Sequence, residues 1–350
     1  MNPFERRTLG RSKVEVSALG MGGAPLGNNF VDVSDAEAES TLIAAWDAGV
    51  RFFDTSPWYG RGLSEMRVGR ALYRRPRADF VLSTKVGRIF RAPADPAAFE
   101  RSERKWPLGL KFEHYHDYSY DGIMRAYDDS LLRLGMNRID VLVIHDLDYG
   151  NLGSDALVTA HLIQLATGGW RALAELKSSG LIGAIGAGVN RIGTIPLFVD
   201  LVPLDFFLVA TPYTLAEQPV LDAEFPLCER HGIGIVIGAV FASGILASGV
   251  VPGARYNYRE PTETEIIRVR GIEATCRAFD VPIAAAALQF PLHHPLVASV
   301  IPGAFAPEQV RSNVENMKHP IPDEFWSALK RGGFIREDAP TPASRRRRPQ

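Results

Sequence analysis

The chain has little of what marks secreted, membrane-bound or metal-binding proteins. Its 350 residues include two cysteines, Cys228 and Cys276, and their spacing matches neither a metal site nor a redox motif. No apolar run approaches the roughly 20 residues that span a bilayer, and the first residues lack the apolar core of a signal peptide. We therefore expect a cytoplasmic protein that has no membrane partner.

An excess of charge of one sign is also missing. There are 39 Lys and Arg against 40 Asp and Glu, so the formal net charge is -1 and does not favour nucleic acid as a partner. The exception is the arginine run at 345–348, which we interpret as part of a disordered basic tail over residues 339–350. Residues 1–338 are expected to form one domain, and 46% hydrophobic residues are enough for a large core.

Short apolar runs alternate with amphipathic stretches along most of the chain. Runs rich in Val, Ile, Leu and Phe predict buried strands at 17–22, 51–55, 80–86, 139–145, 181–188, 204–211, 233–239 and 297–301. Helical patterns fall at 34–48, 62–73, 120–134, 168–179, 193–200, 217–231, 262–280 and 307–317. Such alternation is typical of a parallel sheet, and eight units over this length favour an α/β fold, a closed (β/α)8 TIM barrel.

Two features flank this pattern. The residues before Gly20 predict a β-hairpin that plugs the barrel floor. Two connections, 87–119 and 240–261, are far longer than ordinary βα loops, which indicates a functional role. The first contains Trp106, His114 and His116, and we interpret it as a lid over the substrate.

Four polar residues are predicted to share one end of the barrel. Asp54, Lys85 and His145 each stand at the C-terminal end of a predicted strand, and Tyr59 follows Asp54 in the adjoining loop. Active sites of such barrels form at this end. Each residue alone is more often a rim residue, a helix cap or a solvated charge, and the shared position is what raises the odds for chemistry.

The chemistry of these four residues suits oxidation and reduction of a hydroxyl carbon. A tyrosine can take and return the hydroxyl proton if a neighbouring cation lowers its pKa from about 10. Lys85 would be that cation, Asp54 would hold its ammonium, and His145 would orient the substrate oxygen. The sequence therefore predicts an oxidoreductase in which Tyr59 moves the proton.

Other signals are weaker. Gly186–Gly188 follow a predicted strand, but Arg191 takes the place of the third glycine of a dinucleotide fingerprint, so we interpret the glycines as barrel packing. The histidine pairs at 114 and 116 and at 293 and 294 lack an organised set of carboxylates or cysteines. We therefore expect no metal site.

Four ordered motifs carry a resemblance to a known family. They are Asp54–Gly60, Ser64–Glu65, Leu82–Val86 and Ile139–Asp146. In this order they resemble the signatures of the aldo-keto reductase superfamily, and the likeness extends from about residue 9 to about residue 316. The resemblance implies a (β/α)8 barrel, an NAD or NADP cofactor, and a catalytic tetrad made of Asp54, Tyr59, Lys85 and His145.

The resemblance also implies a cofactor site and a substrate site. The positions matching the family's cofactor contacts are Gly22, Gly23, Asn190, Ala239, Phe241, Ser243, Leu246, Ile301, Gly303, Phe305, Gln309 and Asn313. Asn190 matches the residue that contacts the nicotinamide carboxamide, and the segment after Ile301 matches the helix start that binds the adenosine phosphate. Trp58 and Trp106 would cover the substrate together with His145.

Two departures from the family pattern concern the cofactor. Gly303 and Gln309 stand where many NADP-preferring relatives carry Lys and Arg, which favours NAD, with Arg311 as the alternative partner for the 2′-phosphate of NADP. Gly238 stands where the ring that stacks on the nicotinamide is expected, which makes Phe241 the substitute.

The segments Tyr115–Arg125 and Phe241–Leu246 resemble one subgroup, the D-threo-aldose (L-fucose) 1-dehydrogenases, L-galactose dehydrogenases and pyridoxal 4-dehydrogenases. That resemblance implies oxidation of a hemiacetal to a lactone, from an aldose such as L-fucose, L-galactose or D-arabinose or from pyridoxal, with Tyr59 as the base. Two alternatives stay open: a general NADPH-dependent aldehyde or ketone reductase, and a nucleotide-binding redox-sensing subunit with no significant turnover. The sequence does not predict the oligomeric state.

Overall fold

An eight-stranded parallel barrel forms the centre of the computed structural model, which describes residues 1–29, 31–102 and 105–342. In chain order the strands are β1 (Arg6–Thr8), β2 (Glu15–Ser17), β3 (Met21–Gly22), β4 (Phe52–Asp54), β5 (Val81–Val86), β6 (Arg88–Arg91), β7 (Glu113–His116), β8 (Val141–Ile144), β9 (Ala184–Val189), β10 (Phe206–Ala210), β11 (Gly234–Gly238) and β12 (Val297–Val300). The barrel order is β3-β4-β5-β8-β9-β10-β11-β12, and parallel bridges from Leu19 to Val300 and from Gly22 to Gly303 join its two ends. The predicted TIM barrel is confirmed.

Helices cover the outside of the barrel. In chain order they are α1 (Asp35–Asp47), α2 (Leu63–Leu72), α3 (Pro96–Ser102), α4 (Tyr120–Leu134), α5 (Tyr149–Leu152), α6 (Asp155–Gln164), α7 (Trp170–Ser178), α8 (Pro196–Val199), α9 (Glu224–Arg230), α10 (Ile245–Ser248), α11 (Glu263–Ala278), α12 (Ile283–Gln289), α13 (Pro307–Lys318) and α14 (Asp323–Arg331). Local sequence sets several of their starts: Ser34 and Thr262 form capping boxes with Glu37 and Glu265.

Some helices differ from the prediction for identifiable reasons. The stretch predicted as one helix over 217–231 begins its α-helix only at Glu224, because Pro219 opens a separate 3-10 turn. α12 was not predicted because five of its seven residues are buried, so it has no polar face to produce amphipathic periodicity. α14 lies beyond the eight βα units that the pattern counted.

The N-terminal hairpin closes the barrel floor, as predicted. β1 and β2 pair antiparallel around a turn at Gly10, whose φ is +55°. This turn approaches the barrel so closely that a Cβ on Gly10 would lie 1.7 Å from the carbonyl oxygen of Asp205. Leu9 and Val16 of the hairpin pack into the cluster that fills the barrel interior. Because the hairpin fills the lower end, a ligand has access only from the opposite end.

The predicted lid over 87–119 contains regular structure. β6 and β7 form an antiparallel hairpin in which Arg88 pairs with His116. In the sequence, α3 falls in the connection between these two strands. The hairpin starts directly after β5, with Gly87 at φ +106° making the turn. The lid is therefore anchored at the strand that carries Lys85.

The Ser64–Glu65 motif at the start of α2 connects that helix to the barrel. Glu65 is fully buried and accepts hydrogen bonds from Thr84 Oγ1 at 2.6 Å and from Arg133 Nε at 2.5 Å. Ser64 Oγ donates to the carbonyl of Gly23 at 2.7 Å. The motif thus fastens α2 to three neighbouring segments around the mouth.

The C-terminal segment packs on the barrel further than predicted. Ala339 and Thr341 are buried, beyond the expected tail boundary at 339, because Arg336 ties this segment to Asp222 and Asp338. The arginine run of the predicted tail belongs to residues 343–350, which lie outside the described residues. Over the described ranges, no helix is long and apolar enough to cross a membrane.

The buried position of Glu65 generates a stability prediction. Glu65→Gln keeps the side-chain shape but leaves Arg133, of which 20% is exposed, without its carboxylate. We expect a loss of about 2–3 kcal/mol in the free energy of unfolding, measured by urea denaturation. The control is Glu39→Gln, which breaks the more exposed pair with Arg70 and should cost less than about 0.5 kcal/mol. Equal losses in the two variants would contradict the bracing role of Glu65.

Candidate active site

The four residues predicted to form the tetrad meet at the open mouth of the barrel. Asp54 ends β4, Lys85 lies near the end of β5, and His145 directly follows β8. Tyr59 stands in the turn after β4. Asp54, Lys85 and His145 are buried and Tyr59 is half-buried, so their electrostatic interactions are only weakly screened by water.

Asp54 and Lys85 form an ion pair that is almost completely buried. Lys85 Nζ lies 2.7 Å from Asp54 Oδ2 and also donates to the carbonyl of Thr55 at 2.8 Å. Ser83 Oγ donates to the other carboxylate oxygen at 2.8 Å, so the carboxylate is held on both sides. Lys85 Nζ lies 4.7 Å from the centroid of the Tyr59 ring.

The environment of Tyr59 favours the protonated phenol. Burial raises the pKa of Tyr59 well above its usual 10, and the carboxylate of Asp54 raises it further, while Arg88 acts in the opposite direction. In the protein without a ligand, burial and then the charge of Asp54 thus outweigh the lowering of this pKa that is expected from Lys85. Asp54 lies 2.7 Å from Lys85 Nζ and balances its charge.

His145 is held as a neutral ring. Its Nδ1 lies 3.2 Å from Arg88 Nη1 and 3.1 Å from Ser56 Oγ, and its carbonyl accepts from the hydroxyl of Tyr118 at 2.7 Å. Burial lowers the pKa of His145 well below 6.5, against the attraction of Asp146. Because a guanidinium can only donate, Nδ1 accepts and the ring proton of the neutral form is on Nε2.

Arg88 is a site residue that the sequence reasoning missed. Its Nη1 forms a buried ion pair with Asp146 Oδ2 at 2.9 Å, and Asn190 Nδ2 donates to the other oxygen of Asp146 at 3.0 Å. Burial alone would raise the pKa of Asp146, but the charge and hydrogen bond of Arg88 and the hydrogen bond from Asn190 hold it below the usual range. The one available signal was a basic residue three positions after Lys85, at a predicted strand end.

The residues predicted to contact the cofactor lie around the same mouth. Gly22 and Gly303 form the bridge between β3 and the segment after β12, and Gly23 follows directly. Their lack of a side chain is required by the barrel itself: a Cβ on Gly22 would lie 2.8 Å from the carbonyl oxygen of Ile301, and one on Gly303 would lie 2.7 Å from Pro25. Ile301 and Asn313 are buried beside them.

The start of α13 is the segment expected to contact a phosphate of the cofactor. Its N-cap, Ala306, has no side-chain oxygen; Pro307 has no N–H, and the N–H of Gln309 donates to the carbonyl of Ala306 at 3.1 Å. Gln309 Oε1 accepts from the backbone N–H of Phe305 at 2.9 Å, so this side chain shapes the preceding loop. Arg311 is paired with Glu308 at 3.1 Å.

The segment after β11 brings backbone close to the mouth. Ala239 and Ser243 have left-handed backbones, with φ of 50° and 65°. Ser243 Oγ accepts from the N–H of Tyr258 at 2.8 Å, which ties the two ends of the long loop 240–261 together. Phe241 is half-buried against the core, and Leu246 is completely buried. Ala239 and Ser243 are both partly exposed there, as contacts to a bound dinucleotide would require.

A half-open cavity of about 380 Å³ lies against the lid hairpin, and Trp58 and Arg88 are among its lining residues. Trp58 and Trp106, the predicted substrate contacts, are buried and lie edge to face at 6.2 Å between ring centroids. Trp106 also lies 6.1 Å from the Tyr59 ring, and Trp58 lines the cavity. Trp106 thus contacts both the Tyr59 ring and Trp58, the ring that lines the cavity.

The two histidine pairs lie in different places. His114 and His116 of β7 line the cavity, whereas His293 and His294 pack against aromatic rings of the outer layer, among them Trp326. Across the described ranges, no group of three or more His, Cys, Asp or Glu residues is arranged to hold a metal ion.

Comparison with known proteins agrees with this architecture. The family model of the aldo/keto reductase family matches residues 18–332. The pyridoxal 4-dehydrogenase of Microbacterium luteolum is 41% identical over 341 residues, which cover 95% of this chain and 98% of that protein. The D-threo-aldose 1-dehydrogenase of a Pseudomonas species is 38% identical over 330 residues, covering 93% and 96%.

A solved structure provides the same match in three dimensions. The holo form of an aldo-keto reductase from Bacillus halodurans superposes with a TM-score of 0.72 at 26% sequence identity, over 94% of this chain and 96% of that one. The fold, the ordered motifs and the similarity over nearly the whole length lead to one conclusion: this chain belongs to the aldo/keto reductase family and is an NAD(P)-dependent oxidoreductase.

Proposed function

We propose that this oxidoreductase oxidises the C1 of a cyclic hemiacetal to a lactone, with Tyr59 taking the hydroxyl proton. The observation that carries the proposal is the convergence of Tyr59, neutral His145 and the Lys85–Asp54 pair, with Trp106 against the Tyr59 ring and a half-open cavity lined by Trp58 and Arg88 nearby. The candidate substrates are aldoses of the L-fucose, L-galactose and D-arabinose type and pyridoxal, whose internal hemiacetal would give 4-pyridoxolactone. The names of the two similar dehydrogenases support this class.

In the proposed reaction the C1–H and O–H bonds of the hemiacetal break and a C1=O bond forms. A bound nicotinamide would supply the hydride acceptor and, in its oxidised form, a positive charge. The phenolate of Tyr59 accepts the proton, and His145 donates its Nε2–H to the same substrate oxygen. Lys85 stabilises the phenolate once the proton has left, while Asp54 and Ser83 hold the ammonium in position.

We also propose that NAD is preferred over NADP. Between positions 301 and 313 the charged residues are Glu308 and Arg311, and the two neutralise each other. Gln309, at a position where an arginine would favour NADP, is engaged with the N–H of Phe305. A 2′-phosphate would therefore meet no uncompensated positive charge in this segment.

One observation favours a second candidate, a general NADPH-dependent aldehyde or ketone reductase. Burial raises the pKa of Tyr59, and a phenol is the form that donates a proton to a carbonyl oxygen during reduction. This enzyme would consume NADPH with aromatic aldehydes faster than it forms NADH with sugars. Measuring both rates on one preparation separates the two candidates.

One prediction for this function concerns both the substrate that is oxidised and the residue that takes its proton. NADH should form with at least one of L-fucose, L-galactose, D-arabinose and pyridoxal, measured by absorbance. Tyr59→Phe should lower kcat about 10²- to 10⁴-fold, because it removes the proton acceptor, while NADH binding measured by fluorescence stays within about twofold.

The matched control is Tyr115→Phe, which removes a hydroxyl from a half-buried tyrosine of the lid strand β7. Its kcat should stay within about threefold of the parent enzyme. No turnover with any of the four substrates would overturn the hemiacetal proposal. Turnover that survives in Tyr59→Phe would overturn the role of Tyr59.

The second prediction follows from the pKa values of Tyr59 and His145. Because burial raises the pKa of Tyr59, the phenolate is the minor form at neutral pH, and kcat/KM for oxidation should rise about tenfold per pH unit below the apparent pKa. Reduction of an aldehyde needs the phenol and should stay flat from pH 6 to 8. His145 stays neutral because its pKa is lowered, so no step appears near pH 6.5. Oxidation independent of pH between 6 and 9 would contradict this assignment.

The third prediction concerns the cofactor. The parent enzyme should have a kcat/KM at least about tenfold higher with NAD than with NADP. Glu308→Gln should raise the value for NADP about threefold to tenfold, because it removes a negative charge and releases Arg311. Glu315→Gln, which breaks the equivalent pair with Lys318 at the other end of α13, should change it less than twofold. A parent enzyme that prefers NADP would show the proposal to be wrong.

A further inference from the structure

Asn190 is held at the mouth of the barrel by hydrogen bonds to both its side chain and its main chain. Its Nδ2 donates to Asp146 Oδ1 at 3.0 Å, and its main-chain carbonyl oxygen accepts from Thr211 Oγ1 at 2.7 Å. β9 and β10 are adjacent parallel strands, so Asn190 and Thr211 both stand just beyond their C-terminal ends. The two bonds thus hold one side chain and the backbone that carries it.

The carboxylate of Asp146 determines how the amide of Asn190 is oriented. Burial raises the pKa of this carboxylate, but the bonds from Arg88 and Asn190 hold it below the usual range. The carboxylate is therefore ionised at neutral pH and can only accept hydrogen bonds, so the NH2 end of the amide must face it. The amide oxygen Oδ1 is turned away from Asp146 and is the end that can accept a hydrogen bond from a ligand.

Thr211 has a backbone conformation that its side chain disfavours. Its φ is +87°, in the left-handed region, where a β-branched residue is rare and costs free energy. A glycine would make the same turn after β10 without this cost. The chain nevertheless carries a threonine here, and the contact that its hydroxyl makes is the bond to Asn190.

Asp146 has the same feature on the other side of Asn190. Its φ is +50°, also left-handed, and its side chain bonds the amide of Asn190. Strained backbones of this kind cluster at sites where a functional group is held in one orientation. Two of them converge on Asn190, one through its side chain and one through its backbone.

The loop that follows Asn190 has a separate anchor. Gly193 donates its N–H to Glu224 Oε1 at 2.7 Å, and Glu224 is buried at the start of α9. This bond supports the loop further along, independently of Thr211. The hydroxyl of Thr211 acts on Asn190 itself, which indicates a role in positioning that residue.

The neighbouring strand ends offer no second polar side chain. β10 ends at Ala210 and β11 ends at Gly238, and neither residue has a side chain that can form hydrogen bonds. Among these three strand ends, Asn190 alone can bond the carboxamide of a nicotinamide through its side chain. The orientation of its amide therefore matters more than it would in a set of several contacts.

We propose that Thr211 is a positioning residue for the cofactor. Together with Asp146, it holds Asn190 so that Oδ1 accepts an N–H of the nicotinamide carboxamide, and the strained backbone of Thr211 serves this function. The proposal rests on the expected contact between Asn190 and the carboxamide, and it applies to both candidate substrate classes. Thr211 acts through Asn190 and does not itself touch the reacting atoms.

The test compares NADH with its reduced 3-acetylpyridine analogue, in which an acetyl group replaces the carboxamide and removes its N–H donors. Both are titrated calorimetrically into the enzyme without substrate. The parent enzyme should bind NADH about fivefold or more tightly, because the analogue leaves Asn190 Oδ1 without a donor. Thr211→Val keeps the side-chain shape but removes the hydroxyl, and should reduce this preference to about twofold or less. Thr211→Ser keeps the hydroxyl and should keep the preference.

Further variants make the possible failures distinguishable. A preference that survives in Asn190→Ala would show that the expected carboxamide contact is wrong, as would a parent enzyme that binds both dinucleotides equally. If Asn190→Ala loses the preference but Thr211→Val keeps it, the contact stands and the role of Thr211 is wrong.

The matched control is Thr214→Val, which removes a hydroxyl that accepts from the N–H groups of Ala216 and Glu217 in the same loop. Its preference for NADH should stay close to that of the parent enzyme. An equal loss in Thr214→Val and Thr211→Val would show a general effect on the loop and overturn the assignment.

The backbone strain is tested by the melting temperature of the enzyme without cofactor. Thr211→Gly and Thr211→Val both lack the hydroxyl, but only glycine adopts a φ of +87° freely. Thr211→Gly should therefore melt about 1–3 °C above Thr211→Val and lose the preference for NADH to the same extent. A glycine variant that melts below the valine variant would contradict the strain, and one that keeps the preference would overturn the role of the hydroxyl.

Discussion

The buried ion pair between Lys85 and Asp54 is the interaction on which the rest of the site depends. Two charges removed from water are stable only when each is well paired, and here a serine and a backbone carbonyl complete the pairing. The pair fixes a cation beside Tyr59, but its net charge is zero. Burial and the carboxylate of Asp54 keep the pKa of Tyr59 raised although the ammonium of Lys85 lies 4.7 Å from the ring centroid, so the phenol is the favoured form in the protein without a ligand. In the proposed reaction the oxidised cofactor would add a positive charge, which couples proton removal to cofactor binding.

A second buried ion pair, between Arg88 and Asp146, determines the protonation state of His145. Because Arg88 donates to Nδ1 of His145, it determines which ring nitrogen carries the proton as well as keeping the ring neutral. Asp146 in turn accepts from Asn190, a predicted cofactor contact. Its left-handed φ of 50° is unusual for a residue with a side chain and shows that the surrounding bonds determine its position. One chain of hydrogen bonds thus links Asn190, Asp146, Arg88 of the lid hairpin and His145.

Much of this arrangement could be predicted from the sequence, and the reasons for the rest are physical. Parallel strands buried on both faces leave continuous apolar runs, so all eight barrel strands were predictable, and residues at their ends had to share one mouth. α12 was not predicted because five of its seven residues are buried, which removes the alternation of polar and apolar residues typical of a surface helix. Arg88 was not predicted as a site residue because its role depends on contacts with Asp146 and His145, and only folding brings these residues together. The net pKa of Tyr59 could not be predicted, because a sequence indicates that Lys85 is near but shows neither the burial of the ring nor the pairing of Lys85 with Asp54.

The described charges around the mouth are arranged in pairs. At the start of α13, Glu308 and Arg311 pair at 3.1 Å, so the proposed phosphate contact there depends on backbone N–H groups. Across the mouth, Arg88 is balanced by Asp146 at 2.9 Å, and Glu113 of the lid hairpin pairs with Arg91 at 3.4 Å. The formal net charge of -1 does not predict which ligands bind, because charged residues far apart in the sequence are brought together only by folding. Their positive and negative charges cancel when they are summed over the chain.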